Sequence, residues 1–133
     1  MIFIDTGAFV ARYVERDQYH GLAKDLWGRI AVERLPCFTS NAVLAETLTL
    51  LGRRASYPFA AAKARMLYAS EALTILRTDR DDELLAVERF TKHADLHVSF
   101  VDCLSFALME REGISRAFAF DQHFSLVGFR LYG

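Results

Sequence analysis

Five short apolar runs punctuate the chain, at residues 2–5, 36–39, 73–76, 117–120 and 129–132, and the segments between them carry helical periodicity. This alternation constrains the fold more than any other feature. Short strands apolar on both faces and separated by helices pack as a mainly parallel sheet covered on both sides. The expected helices span residues 6–14, 21–33, 41–53, 60–71, 79–93 and 100–112. Ser40 and Asn41 supply capping side chains ahead of the third, an acidic first turn suits the dipole of the fifth, and Gly113 closes the sixth. The predicted class is α/β, with about five short strands in a central sheet flanked by helices.

Composition narrows the classes further. A chain of 133 residues that is 53% hydrophobic and 25% charged supports one full core, too apolar for disorder and too short for two ordinary domains. The two prolines and seven glycines are scattered singly, so residues 1–133 read as a single unit with no linker or repeat. With a net charge of −1 there is no general basic field, and any nucleic acid must be held locally. Cys37 and Cys103 lie in apolar segments without metal-type spacing, which predicts buried free thiols. There is no basic leader, and no apolar run approaches the ~18 residues of a membrane span, so a cytoplasmic protein with no membrane partner is expected.

Chemistry enters through four acids. Asp5 and Asp121 each follow an apolar strand, and parallel strands deliver both to the carboxyl edge of the sheet, where open α/β folds bind ligands. Glu46 sits in a helix apolar nearly all round, which predicts burial on most sides, and Asp102 is the one charge in residues 100–109. Each also has an ordinary structural explanation: Asp5 as a helix cap, Asp121 as a turn residue, Asp102 in a Ser99-x-x-Asp102 capping box, and Glu46 on a polar stripe with Arg53. The conjunction favours function, because four costly carboxylates all point to one edge. Two unit charges ~5 Å apart repel by ~3 kcal/mol at an effective dielectric near 20. Four therefore need protons or a cation. An all-oxygen set suits Mg²⁺ or Mn²⁺, hence phosphoryl chemistry in which the ion activates a water.

Taken in order, Ile2-Phe3-Ile4-Asp5-Thr6, Ala45-Glu46-Thr47-Leu48-Thr49-Leu50-Leu51, the segment 96–103 around Asp102, and Phe118-Ala119-Phe120-Asp121-Gln122-His123-Phe124 resemble the PIN-domain family. Within it, the chain is most similar to the toxin nucleases of VapBC-type toxin–antitoxin pairs. The resemblance implies a PIN-like three-layer fold and a Mg²⁺- or Mn²⁺-dependent endoribonuclease cutting RNA phosphodiesters. It carries Asp5, Glu46, Asp102 and Asp121 over as metal ligands, with Thr6 in support, and implies a homodimer inhibited by a small cognate antitoxin. Ala119 departs from the family pattern, which often has Thr or Ser there, so Asp121 ligation is left open between direct and water-mediated.

Arg53, Arg54, Lys63 and Arg65 fall in a stretch from Thr47 to Ser70 that holds no acid. They serve either as phosphate contacts for RNA beside the metal, as a solvated face, or as an antitoxin contact. His20, His93, His97 and His123 lack ligand spacing and read as surface or packing residues, and Trp27 as core. Other strand-end Mg²⁺ folds fit poorly: a haloacid-dehalogenase-type phosphatase wants Asp-x-Asp where Asp5-Thr6-Gly7 stands, and it and receiver-like folds want a late lysine, yet the last is Lys92. The alternative from another class is a catalytically silent PIN-like module that binds RNA or protein.

Overall fold

A computed structural model covers all 133 residues. Strand β1 (Ile2–Ile4) lies at the centre of a five-stranded sheet, parallel to β2 (Cys37–Ser40) on one side and to β4 (Arg116–Phe118) on the other. Beyond β2 lies β3 (Leu73–Leu76), and beyond β4 lies β5 (Arg130–Leu131), giving the all-parallel order β3-β2-β1-β4-β5. The expected architecture is therefore present. The first three strands wind outward in one direction, and the chain then returns to the opposite side of β1. The winding sense thus reverses between β1 and β4, where a crevice opens at the carboxyl ends of the strands.

Seven helices flank the sheet: α1 (Thr6–Tyr13), α2 (His20–Glu33), α3 (Asn41–Arg54), α4 (Tyr57–Ala69), α5 (Arg80–Lys92), α6 (Phe100–Glu112) and α7 (His123–Leu126). Ile2, Phe3 and Ile4 are fully buried, as are Ala117 and Phe118 in β4. Each such large side chain is worth ~1.5–3 kcal/mol relative to exposure. The Phe118 ring meets Trp27 at 5.3 Å and Tyr132 at 5.9 Å between centroids, which ties β4 to α2 and to the C-terminal strand. Helix α6 is buried without a break from Asp102 to Met109, so it runs through the core, and its Phe106 packs edge-on against Phe124 of α7 at 5.2 Å.

Several boundaries move for identifiable reasons. The runs expected to end at residues 5 and 120 stop as strands at Ile4 and Phe118, because Asp5 takes the extended backbone of the cap of α1 and the chain after Phe118 turns towards α7. Helix α4 starts at Tyr57 rather than residue 60, since the Ser56 hydroxyl accepts the Phe59 N–H and Pro58 suits a first turn. Helix α3 is not buried on most sides: Val43, Leu44, Thr47 and Leu51 face inward while Ala45 and Thr49 are exposed. It is an amphipathic helix whose outer face happens to be built from small residues. Cys37 and Cys103 are buried and free, and no helix is long and apolar enough to cross a membrane.

Candidate active site

Asp5 stands at the carboxyl end of β1, and its N–H donates to the Phe118 carbonyl of β4 at 3.0 Å, which joins the two strand ends across the reversal. On the other flank Thr39 Oγ1 donates to the Ile4 carbonyl at 2.8 Å. The Asp5 side chain makes no capping bond to α1 and is 5% exposed, so capping does not account for a buried carboxylate there. Asp121 lies in the turn after β4 and accepts the His123 N–H at 2.9 Å. Its turn role is real, yet it uses one oxygen.

Glu46 is placed by α3, which the Ser40 hydroxyl starts at the end of β2 by accepting the Val43 N–H at 3.0 Å. Asp102 does complete a capping box: its N–H donates to Ser99 Oγ at 3.0 Å, and the Ser99 N–H donates to Asp102 Oδ2 at 3.2 Å. Capping and site membership coexist, because the cap uses only one side-chain oxygen of Asp102, Oδ2. All four acids line a single cavity of about 550 Å³, together with Thr6, His123, Tyr19 and Phe120. The four sequence-predicted acids are brought together.

The electrostatics record that convergence. Burial pushes the Asp5 carboxyl well above its ordinary value of 3.8; Asp102 and Asp121 push the same way, the Thr6 amide opposes them, and Glu46 adds to the rise. Burial also raises Asp121, with the His123 amide opposing and Asp102 reinforcing. A buried carboxylate facing three others is the environment a cation relieves. Thr6 supplies a second sign: its hydroxyl is buried in the same cavity wall with no hydrogen-bond partner. Carboxylate oxygens, an unpartnered hydroxyl and one imidazole form a donor set that fits a hard divalent cation.

His123 corrects the expectation that no histidine contributes. Its Nδ1 lies 2.9 Å from Asp102 Oδ2 and 3.9 Å from Asp121 Oδ1, and one donor atom from each of the three residues falls within 4.8 Å of the others. The sequence signal lay in the spacing Asp121-x-His123, which puts both side chains on one turn. Of the other three, His20 Nδ1 is 2.7 Å from the Ala11 carbonyl, His93 meets the Phe106 ring edge-on, and His97 is exposed.

The basic stretch divides. Arg54 reaches the cavity wall, paired with Asp17 at 2.9 Å, and its carbonyl accepts a bond from Arg16. Arg53 and Arg65 are exposed outside the cavity, and Lys63 on α4 lies over the rings of Tyr13 at 4.8 Å and Phe59 at 5.2 Å. The turn at Ser56 carries α4 away from the acids, so adjacency in sequence to the Glu46 helix does not become adjacency to the site.

A parallel sheet of this order with acids at its reversal point defines the class, and the PIN domain profile matches residues 2–130: the chain belongs to the PIN-domain family. It is 41% identical over 129 residues to the 23S rRNA-specific endonuclease VapC20 of Mycobacterium tuberculosis, strain CDC 1551 / Oshkosh, covering 97% of this chain and 95% of that protein. The same figures hold for VapC20 of strain ATCC 25618 / H37Rv. The crystal structure of M. tuberculosis VapC20, described as a sarcin-ricin loop cleaving toxin, superposes with a TM-score of 0.88 at 39% identity, over 97% of this chain and 96% of that one.

Proposed function

We propose that residues 1–133 act as one PIN domain, a divalent-metal-dependent endoribonuclease toxin of the cytoplasm that hydrolyses RNA phosphodiester bonds. The observation that carries this reading is the shared cavity of Asp5, Glu46, Asp102 and Asp121, with Asp5 held in a state that only a proton or a cation relieves. In this reading the four carboxylates hold Mg²⁺ or Mn²⁺ and Thr6 supports them. When bound, such an ion supplies Lewis acidity toward phosphate oxygens and toward an attacking water. The chain itself orients Asp102 through Ser99 and His123, buries Asp5 away from bulk water, and offers Arg54 as the nearest cation for a neighbouring phosphate.

The names of the relatives direct the choice of substrate: a structured ribosomal RNA, in the first instance the sarcin-ricin loop of their description. A small cognate antitoxin and a homodimer complete the proposal. They are supported by the apolar side chains left exposed on α5, Leu84, Val87 and Phe90, the last of which meets the exposed Phe100 edge-on. A catalytically silent binding module explains less, since apolar residues would pack in place of buried like charges without electrostatic cost.

The test is cleavage of a synthetic RNA carrying the sarcin-ricin loop sequence. Wild type is expected to cut it with Mg²⁺ or Mn²⁺ and to stop in EDTA. Asp5→Asn and Asp102→Asn should lose about two to three powers of ten in rate, the usual cost of removing a charge-stabilising group. Equal cutting by all three proteins, or cutting unaffected by EDTA, would contradict the reading.

A further inference from the structure

We propose that Tyr19 is a stacking seat for an unpaired nucleobase of the RNA, next to the phosphate that the acidic cavity receives. Tyr19 and Phe120 lie flat against each other, with ring centroids 4.6 Å apart and an interplanar angle of 4°, and both line the cavity that holds the four carboxylates. Phe120 immediately precedes Asp121 and packs edge-on against the fully buried Phe118 at 5.7 Å, so the lower ring of the pair is anchored in the core. Tyr19, the upper ring, keeps 38% of its surface in solvent. One ring is held and the other is open to water beside the acids, an arrangement that a third flat ring can extend.

The position of Tyr19 is fixed rather than incidental. Its N–H donates to Asp17 Oδ1 at 2.9 Å, and the other oxygen of Asp17 accepts from Arg54 at 2.9 Å. Burial works to raise Asp17, but the Tyr19 amide and Arg54 outweigh it and hold the carboxyl below its ordinary value, so the bridge stays ionised. One short network thus ties the backbone that carries the ring to the cation on the cavity wall. A nucleotide presents the matching pair, a flat base one sugar away from a phosphate. Every base has a π-face, so the seat accepts any unstacked base and selects for RNA whose bases can be splayed out of a helix.

The inference rests on the endoribonuclease reading and deepens it by naming how the substrate is held. Steady-state cleavage of the sarcin-ricin RNA tests it, using wild type, Tyr19→Ala, Tyr19→Phe and Tyr19→Trp, with thermal melting of each protein as a folding control. Removing one stacked base is expected to raise KM about tenfold in Tyr19→Ala, with the loss falling on KM rather than kcat, while Phe and Trp restore it. Substituting an abasic ribose for each nucleotide flanking the cut in turn should reproduce that loss at one position in wild type and add nothing to Tyr19→Ala. A wild-type KM in Tyr19→Ala, or losses from the abasic ribose that multiply in full with those of Tyr19→Ala at every position, would overturn the stacking seat and leave the nuclease reading standing. Failure of wild type itself to cut RNA would overturn both.

Discussion

Nδ1 of the His123 imidazole lies 2.9 Å from Oδ2 of Asp102, the same oxygen that accepts the Ser99 N–H at 3.2 Å. A carboxylate without its proton offers only acceptors, so in that form the proton of this contact sits on the ring nitrogen. Asp102 is thereby held at Oδ2 by a helix cap and a second helix at once. Its Oδ1 and the His123 Nε2 are left for the cavity, and the rotamer that faces the other acids is fixed before any ligand arrives.

Loss of this clamp should weaken the metal site without unfolding the protein. His123→Ala is expected to reduce Mg²⁺ affinity by about 10–100-fold, the range seen when an orienting partner of a ligand is removed. Titrating Mg²⁺ against the melting temperature measures it. His123→Asn, which keeps a donor near the same place, should recover part of the loss, and an unchanged Mg²⁺ dependence in both variants would show that Asp102 needs no second holder.

The raised Asp5 carboxyl gives a pH signature with a definite sign. Its folded value lies above the ordinary 3.8, so between those two values the fold holds a proton that the unfolded chain has released. Stability of the metal-free protein from this group is therefore lost as pH rises through the window, and regained as pH falls. Asp5→Asn mimics the protonated acid. Without metal it should melt above wild type at neutral pH, with the gap closing as pH falls towards 3.8 and also on adding Mg²⁺ to wild type. Melting curves across pH check this, and a gap independent of pH would contradict it.

Much of this was legible in the sequence because strand-end position is a one-dimensional property. Asp5 and Asp121 close apolar runs, so a parallel sheet alone brings them to one edge, and the motif order around Glu46 and Asp102 supplied the rest. His123 was not legible in the same way: its role depends on α7, four residues whose turn is set by burial of Phe124 rather than by any local periodicity. Lys63 and Arg65 failed to reach the cavity for the converse reason, since the direction of α4 after Ser56 is a tertiary choice. The Tyr19–Phe120 stack joins residues from opposite ends of the chain, and no spacing rule connects them.

The core makes its own prediction. Phe118 is fully buried between Trp27, Phe120 and Tyr132, two residues before the segment that carries the stacked ring and Asp121. Phe118→Ala should cost about 3–5 kcal/mol and lower the melting temperature by more than about 10 °C. Denaturant unfolding checks it, and a loss below about 1 kcal/mol would mean that the strand repacks freely.

The central claim is that four carboxylates from separate elements make one divalent-ion site. Electron paramagnetic resonance of Mn²⁺ during titration reads this directly, because bound and free ion differ in signal. Wild type should bind Mn²⁺ saturably, with competition by Mg²⁺, and Asp5→Asn and Asp102→Asn should each bind it at least tenfold more weakly. Mn²⁺ binding of equal strength in wild type and both variants, or none in any of them, would contradict the account.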